Sequence, residues 1–161
     1  MPVKNTCSEV QFISERFPGL TICFERDVLG HFQKHRQVGA RAKETGGQLF
    51  GRIENGKVHI CDATGPRIID FHGRAFFNPS RWMERREIKS KFKQGLHYLG
   101  DWHTHPQEIP EPSALDIESM KECFTESNHE LSFFVLVIVG QVEFPDGLWV
   151  SVHDEKQWVE L

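Results

Sequence analysis

The chain has 161 residues and a mass of 18.7 kDa, and single domains commonly contain roughly 100–200 residues, so one domain is expected. With 39% hydrophobic and 26% charged residues, the composition is that of a globular protein and excludes a disordered or collagen-like chain. The formal net charge of −4 argues against a general nucleic-acid binder, and the longest apolar run, residues 133–139, is far below the roughly 20 residues that a membrane helix needs.

The first predicted elements are a strand and a helix. Residues 20–25 have the apolar character of a short strand. Asp27 then caps a helix that ends near Gly39, and its apolar positions fall on one face: Val28, Leu29 and Phe32.

A hairpin follows. The pair Asn55-Gly56 separates two apolar runs, residues 47–53 and 58–63, which is the strongest short-range signal for a two-stranded hairpin. Residues 66–79 mix β-branched and aromatic residues with turn formers, and they predict a further strand with irregular flanks.

The second half of the chain predicts two helices around a strand. Ser80 caps a charged helix that reaches about Gln94, and Gly95 ends it before an apolar strand over residues 96–102. After a proline-rich loop, Ser113 begins another helix with apolar positions on or near one face: Leu115, Ile117, Met120 and Phe124.

The carboxyl-terminal part predicts strands. The continuous apolar character of residues 133–139 is typical of a strand that is buried on both faces. A turn at residues 144–147 precedes a returning strand in which Trp149, Ser151 and His153 alternate with Val150, Val152 and Asp154. The sequence therefore predicts a single-domain α/β protein with a mixed β-sheet flanked by helices.

Cysteine usage and the amino terminus both favour the cytoplasm. The four cysteines form no CxxC pair, and we expect reduced, mostly buried thiols: Cys7, Cys23, Cys61 and Cys123. The first residues lack the basic region, apolar stretch and cleavage site of a secretory signal. A cytoplasmic protein is therefore expected.

Dispersed polar residues predict a zinc site. Side chains alternate along a strand, so His103 and His105, which follow the strand ending at Trp102, point to the same side. Asp116 is the third residue of the next helix, and its carboxylate can turn back towards the helix start. Two nitrogens and one oxygen suit zinc, and three protein ligands leave the fourth position for water, as in catalytic sites.

Glu44 and Ser113 are the candidate catalytic residues. Glu44 precedes Gly46-Gly47, whose missing side chains would let the backbone and the carboxylate approach a substrate closely. Its carboxylate would take a proton from an activated water and pass it to a departing amine. The Ser113 hydroxyl, at the helix start, would donate to the oxyanion of a tetrahedral intermediate.

Each of these residues has an ordinary alternative. Ser113 and Asp116 fit a helix capping box, and His103 and His105 would also suit a half-exposed strand. Glu44 alone is one of many glutamates at surface turns. Their joint occurrence at this spacing favours the metal site.

The order of Glu, then His-Thr-His-Pro, six residues and Ser-x-x-Asp resembles the JAMM family, also called JAB or MPN+ metalloproteases. The resemblance spans residues 20–153 and implies a cytidine-deaminase-like MPN/JAB fold, with residues 20–161 as the metalloprotease domain and residues 1–19 as an amino-terminal extension. It also implies zinc at the two histidines and Asp116, Glu44 as general acid and base, and Ser113 as oxyanion partner. Members hydrolyse peptide and isopeptide bonds at the carboxyl terminus of ubiquitin or ubiquitin-like proteins.

The local sequence around the site narrows the resemblance to one subgroup of the family. The chain is too short for the long insertions of eukaryotic deubiquitinating members, and its run GDWHTHPQEIPEPSALD resembles the JAB deconjugases of type II CBASS antiphage operons. The implied partners are the carboxyl-terminal tail of a conjugated ubiquitin-like protein or cGAS-like nucleotidyltransferase, and an operon-encoded fusion of activating and conjugating enzymes. Neither nucleic acid nor membrane is expected as a partner.

Three alternatives remain beside this interpretation. The first is a catalytically silent MPN-fold scaffold that binds conjugates. The second is a JAB peptidase that processes a sulfur-carrier or other ubiquitin-like protein. A zinc nucleoside deaminase is disfavoured, because such enzymes need a His/Cys-x-Glu and a Pro-Cys-x-x-Cys element that this sequence lacks.

Other features have weaker interpretations. Residues 81–93 carry six basic residues against Glu84 and Glu87, and a solvated helix with surface ion pairs is favoured over a docking surface. Asp101 would accept a hydrogen bond from a ligating imidazole or face water. Core packing is favoured over a groove for an extended tail for three aromatic residues: Phe71, Phe76 and Phe77. No role is expected for the remaining histidines: His31, His35, His59, His72, His97, His129 and His153.

Overall fold

The computed structural model describes residues 10–17, 19–66, 71–72, 77–78 and 81–161. Within these residues the elements follow the order β1 (Val10–Ile13), β2 (Thr21–Phe24), α1 (Arg26–His35), β3 (Gly46–Glu54), β4 (Lys57–Ala63), β5 (Phe71–His72), β6 (Phe77–Asn78), α2 (Arg81–Lys93), β7 (His97–Thr104), α3 (Ala114–Glu126), β8 (Phe134–Val139), β9 (Leu148–His153) and β10 (Trp158–Glu160).

One mixed sheet organises the fold. Its eight strands lie in the order β1-β2-β4-β3-β7-β8-β9-β10, and β5 pairs with β6 apart from it. The strands β2 and β4 are parallel, as are β7 and β8, and the other pairs in this sheet are antiparallel. The predicted α/β class with a mixed sheet is confirmed.

The apolar run that predicted β8 is buried on both faces. One face of β8 packs with α1 in the larger core cluster, through Val135, Val137 and Val139. The other face packs with α3 in a second cluster, through Phe134, Leu136 and Ile138. Burying each such side chain stabilises the fold by about 1.5–3 kcal/mol, which explains why both alternating sets are apolar. All six residues of β9 are buried in the same manner.

The predicted hairpin forms between β3 and β4. Asn55 and Gly56 have φ angles of 51° and 76°, so both residues of the turn occupy the left-handed region. Asparagine and glycine tolerate that region best, and a turn of this kind matches the twist of the flanking strands. The pairing of Glu54 with Lys57 closes the turn.

Helix α1 differs from its prediction at both ends. It begins at Arg26 with Glu25 at the N-cap, so the prediction that Asp27 caps it is wrong, and Asp27 lies in the first turn. There its charge still complements the helix dipole. The helix ends at His35 rather than near Gly39. The predicted buried face is confirmed: Val28, Leu29 and Phe32.

Helices α2 and α3 end and begin where the sequence predicts. Gly95, with a φ of 79°, lies just after the end of α2, and the Leu96 N–H donates a hydrogen bond to Lys91 C=O at 3.0 Å. The residue predicted to cap α2, Ser80, lies outside the described residues. Ser113 is the N-cap of α3 and Met120 is buried, but Leu115 is 69% exposed and does not belong to the buried face.

The remaining sequence predictions have mixed outcomes. The predicted strand over residues 66–79 lies largely outside the described residues; within it the structure describes residue 66 and the short strands β5 and β6. Among the described cysteines, Cys23, Cys61 and Cys123 are reduced and form no disulfide, although only Cys23 is buried; Cys7 lies outside the described residues. Among the helices that the structure describes, none has the length and apolar character required to cross a bilayer.

Candidate metal centre

The end of β7 brings two imidazoles together. His103 lies in β7 and pairs with Gly46 of β3, and His105 follows one residue after the strand ends. The His105 N–H donates to Val139 C=O of β8 at 3.0 Å, so the extended conformation continues past the strand. Alternation then directs both side chains to the same side, where their Nε2 atoms lie 3.1 Å apart.

Asp116 completes a cluster of three donors. Its Oδ1 lies 3.2 Å from His103 Nε2, and its Oδ2 lies 3.3 Å from His105 Nε2. The same carboxylate accepts the Ser113 N–H at 2.8 Å, and Ser113 Oγ accepts the Asp116 N–H at 3.1 Å. The capping box and the metal-site arrangement therefore coexist, because the cap aims the carboxylate at the histidines. The bond to Oγ leaves the Ser113 hydroxyl proton available to a ligand.

Glu44 approaches the histidine pair from the loop before β3. Its carboxylate and the two imidazoles form a group whose ligand atoms all lie within 4.8 Å of one another. Burial raises the pKa of the Glu44 carboxyl, and the neighbouring His103 and His105 partly offset this rise. Such a rise brings the pKa of the carboxyl closer to neutral pH, the direction that favours a group that must both accept and release a proton.

The donor atoms fit a tetrahedral zinc ion. Zinc binds nitrogen and oxygen at about 2.0–2.1 Å, which separates neighbouring tetrahedral ligands by about 3.3–3.4 Å. The two Nε2 atoms are 3.1 Å apart, near that spacing, and the Asp116 carboxylate lies alongside both, with one oxygen 3.2 Å from His103 and the other 3.3 Å from His105. Two imidazoles and one carboxylate supplied by the chain would leave one tetrahedral position open, which is the composition of catalytic zinc sites.

The charges within the cluster are interdependent. Burial acts to raise the pKa of Asp116, but hydrogen bonds from His103 and His105 outweigh it and hold that pKa well below its usual range. Burial acts to lower the pKa of His105, but the hydrogen bond and charge of Asp116 outweigh it and raise the pKa. Asp116 is thus held as an anion, the form required of a metal ligand.

Gln107 fixes the orientation of His105, a role for which the sequence carried no signal. Its Oε1 lies 3.2 Å from His105 Nδ1 and accepts the Glu111 N–H at 3.0 Å. Because the backbone N–H identifies that atom as the acceptor oxygen, His105 Nδ1 must carry the proton. In the neutral ring, Nε2 then has the lone pair that metal binding requires, whereas in the metal-free state a proton on Nε2 is donated to Asp116.

The two glycines before the site accommodate the protein's own backbone. A Cβ at Gly46 would collide with the Trp102 carbonyl oxygen, and a Cβ at Gly47 would collide with the Thr64 carbonyl. The expectation that their missing side chains make room for a substrate therefore needs correction. They instead let β3 lie close to its neighbours, which brings Glu44 next to β7.

The residues with weaker sequence interpretations lie away from the histidine pair or outside the described side chains. Asp101 accepts a hydrogen bond from the Tyr98 hydroxyl at 2.8 Å, beside a cleft of about 1070 Å³ between α2 and α3. Glu84 is buried, so the expectation that it lies on a solvated helix face is wrong. That the basic residues of α2 form a solvated surface rather than a docking surface stays a prediction. The side chains proposed for a tail groove lie outside what the structure describes: Phe71, Phe76 and Phe77.

The chain thus has an α/β fold in which two histidines and two carboxylates meet beside the central strands. These features place it in the class of proteins with a candidate open metal centre. The family model described as prokaryotic homologs of the JAB domain matches residues 27–152, and the chain belongs to this family. The resemblance inferred from the motif spacing is thereby confirmed.

Similar proteins carry a common name. A protein of Enterobacter hormaechei subsp. hoffmannii named CD-NTase/cGAS isopeptidase is 33% identical over 103 residues, which are 63% of this chain and 57% of that protein. A protein of Vibrio cholerae with the same name is 26% identical over 140 residues, 85% of this chain and 87% of the relative. The match thus spans little more than half of the Enterobacter relative.

A solved structure supports the fold. The solution structure of a protein from Desulfitobacterium hafniense aligns with a TM-score of 0.62 at 18% identity, covering 87% of this chain and 89% of that one. The likeness concerns the fold alone.

Proposed function

We propose that this protein is a zinc-dependent isopeptidase that releases a cGAS-like nucleotidyltransferase from a target protein, at the bond formed by the carboxyl terminus of the nucleotidyltransferase. The observation that carries the proposal is the convergence of His103, His105, Asp116 and Glu44 at the end of β7. The names of the Enterobacter and Vibrio relatives support the substrate class.

The residues divide the reaction between them. Zinc held by His103, His105 and Asp116 would supply a Lewis acid that activates water at neutral pH. In this proposal Glu44 accepts the proton of the attacking water at its carboxylate and delivers it to the Nζ of the departing lysine. The Ser113 hydroxyl donates a hydrogen bond to the oxyanion as the carbonyl carbon becomes tetrahedral.

The proposal extends to the domain and its setting. We propose that residues 20–161 are the catalytic domain and that the extension, residues 1–19, adds β1 to the edge of the sheet beside β2. The carboxyl-terminal tail of the conjugated protein is the proposed ligand. A fused activating and conjugating enzyme of a type II CBASS operon, acting in the cytoplasm, is the proposed source of the conjugate.

The test uses the zinc-loaded protein and a defined conjugate. A cGAS-like nucleotidyltransferase is joined through its carboxyl terminus to a lysine of a target protein, and the products are identified by mass spectrometry. We expect an intact nucleotidyltransferase carboxyl terminus and a free lysine, with release by Glu44→Gln slowed about 10²- to 10⁴-fold. A linear fusion and a sulfur-carrier conjugate are assayed beside it.

Two results would contradict the proposal. Tight binding of the conjugate without cleavage by zinc-loaded protein would support the silent scaffold. Cleavage restricted to the sulfur-carrier conjugate would assign the enzyme to processing of ubiquitin-like proteins.

A further inference from the structure

A buried hydrogen-bond network lies behind the histidine pair. Thr104 stands between the two histidines in sequence and is fully buried. Its Oγ1 accepts the Thr45 N–H at 3.0 Å and donates to Gln37 Oε1 at 3.1 Å. The Thr104 N–H in turn donates to Thr45 C=O at 2.8 Å. Since strand side chains alternate, Thr104 faces away from His103 and His105 and towards the loop that carries Glu44.

The loop depends on this network for its position. Residues 36–45, all of which the structure describes, form neither helix nor strand. Gln37 is 1% exposed, and its Nε2 donates to Ala42 C=O at 3.2 Å. The amide of Gln141 donates to Gln37 C=O at 2.7 Å. The position of the loop therefore depends on hydrogen bonds of the Gln37 and Gln141 side chains and of Thr104.

The network reaches the catalytic cluster from both sides. The two bonds between Thr45 and Thr104 continue the pairing of Gly46 with His103, so they fix the backbone adjacent to Glu44. The Gln141 N–H also donates to the carbonyl of Gln107, whose side chain orients His105. A displacement of the loop would thus move Glu44 relative to the imidazoles.

We infer that Thr104 and Gln37 are positioning residues that hold the Glu44 carboxylate against the histidine pair without touching metal or substrate. This inference rests on the proposed function, since it concerns proton transfer by Glu44. Misplacing a reacting group by about 1 Å can reduce a rate by about 100-fold. Loss of the Thr104 hydroxyl should therefore reduce turnover while the three metal donors stay in place.

The experiment compares isosteric variants of the full chain. Thr104→Val removes the hydroxyl at nearly constant volume, Thr104→Ser keeps it, and Thr21→Val makes the same exchange on β2, far along the sheet from the network. We expect Thr104→Val to retain about one zinc per chain and to lower kcat about 10- to 100-fold with little change in KM. Thr104→Ser should recover most of the activity, and Thr21→Val should equal the wild type.

A double-mutant cycle separates positioning from a general structural effect. In the Glu44→Gln background, Thr104→Val should cause no further loss, because the group being positioned is absent. An equal loss in both backgrounds, or loss of zinc from Thr104→Val, would overturn the inference. If Thr104→Val fails to fold, Gln37→Met removes the acceptor of the Thr104 hydroxyl instead. The same zinc content, fall in kcat and nearly unchanged KM are then expected of Gln37→Met.

Hydrogen exchange gives a readout independent of catalysis. In metal-free protein, the Thr45 amide should exchange at least about tenfold faster in Thr104→Val than in the wild type or Thr104→Ser, because its acceptor is lost. Unchanged exchange would refute the network. Wild-type protein that binds no zinc and cleaves no conjugate would instead refute the proposed function, whereas an active Thr104→Val would refute only the inference.

Discussion

Asp116 has two separable tasks, and replacing it should reveal both. It caps α3 by accepting the Ser113 N–H, and it offers its oxygens to the site shared with His103 and His105. Asp116→Ala removes both tasks. Ser113→Ala removes the other half of the capping box but no metal donor, and it serves as the matched control.

The two tasks have different magnitudes. Losing one side of the cap costs about 1 kcal/mol, which lowers the melting temperature of a domain this size by about 2–4 °C. Zinc at about 1,000 times its Kd adds about 4 kcal/mol of stability, which corresponds to about 8–16 °C. In chelator, Ser113→Ala should therefore melt slightly below the wild type, and Asp116→Ala lower still, because it also loses the hydrogen bonds from His103 and His105. When zinc is added, the melting temperature of Ser113→Ala should rise by nearly as much as that of the wild type, and that of Asp116→Ala should rise far less.

The assay is thermal unfolding with and without a chelator, combined with elemental analysis of the dialysed proteins. About one zinc per chain is expected in the wild type and Ser113→Ala, and far less in Asp116→Ala. A full zinc-dependent increment in Asp116→Ala would refute the assignment of Asp116 as a ligand. Equal melting of all three proteins in chelator would refute the role of the cap.

Three further perturbations test other parts of the site and fold. Glu44→Gln should retain zinc by elemental analysis but lose about 10²–10⁴ in kcat, and full activity would contradict its role as proton carrier. Gln107→Leu should weaken zinc affinity about 10- to 100-fold in a chelator competition, with Gln107→Glu, which keeps an acceptor, close to the wild type. Burial lowers the pKa of His153 to about 4, below the 6.5 of the unfolded chain, so its contribution is complete above pH 6.5 and is lost as the pH falls towards 4. The wild type should therefore lose up to about 3 kcal/mol more than His153→Gln between pH 7 and pH 4 in denaturant unfolding, and parallel curves would refute this.

Much of the fold could be predicted because its signals are local. The turn at Asn55-Gly56, the apolar run of β8 and the cap of α3 at Ser113 each depend on neighbouring residues. The start of α1 could not be predicted, because Asp27 is the better capping residue by type, whereas Glu25 occupies the N-cap without a side-chain capping bond. The exposure of Leu115 was equally hidden, since it depends on what α3 packs against.

The sequence by itself determined which donor side chains lie together at the proposed metal site. The spacing of His103 and His105 is set by strand alternation, and the position of Asp116 is set by the helix cap, so both follow from backbone geometry over a few residues. Tertiary structure alone decided how Glu44 reaches them, why Gly46 must lack a side chain and which residues steady the site. Those features arise where β3 pairs with β7, about 60 residues apart in the chain, and no local pattern encodes contacts at that separation.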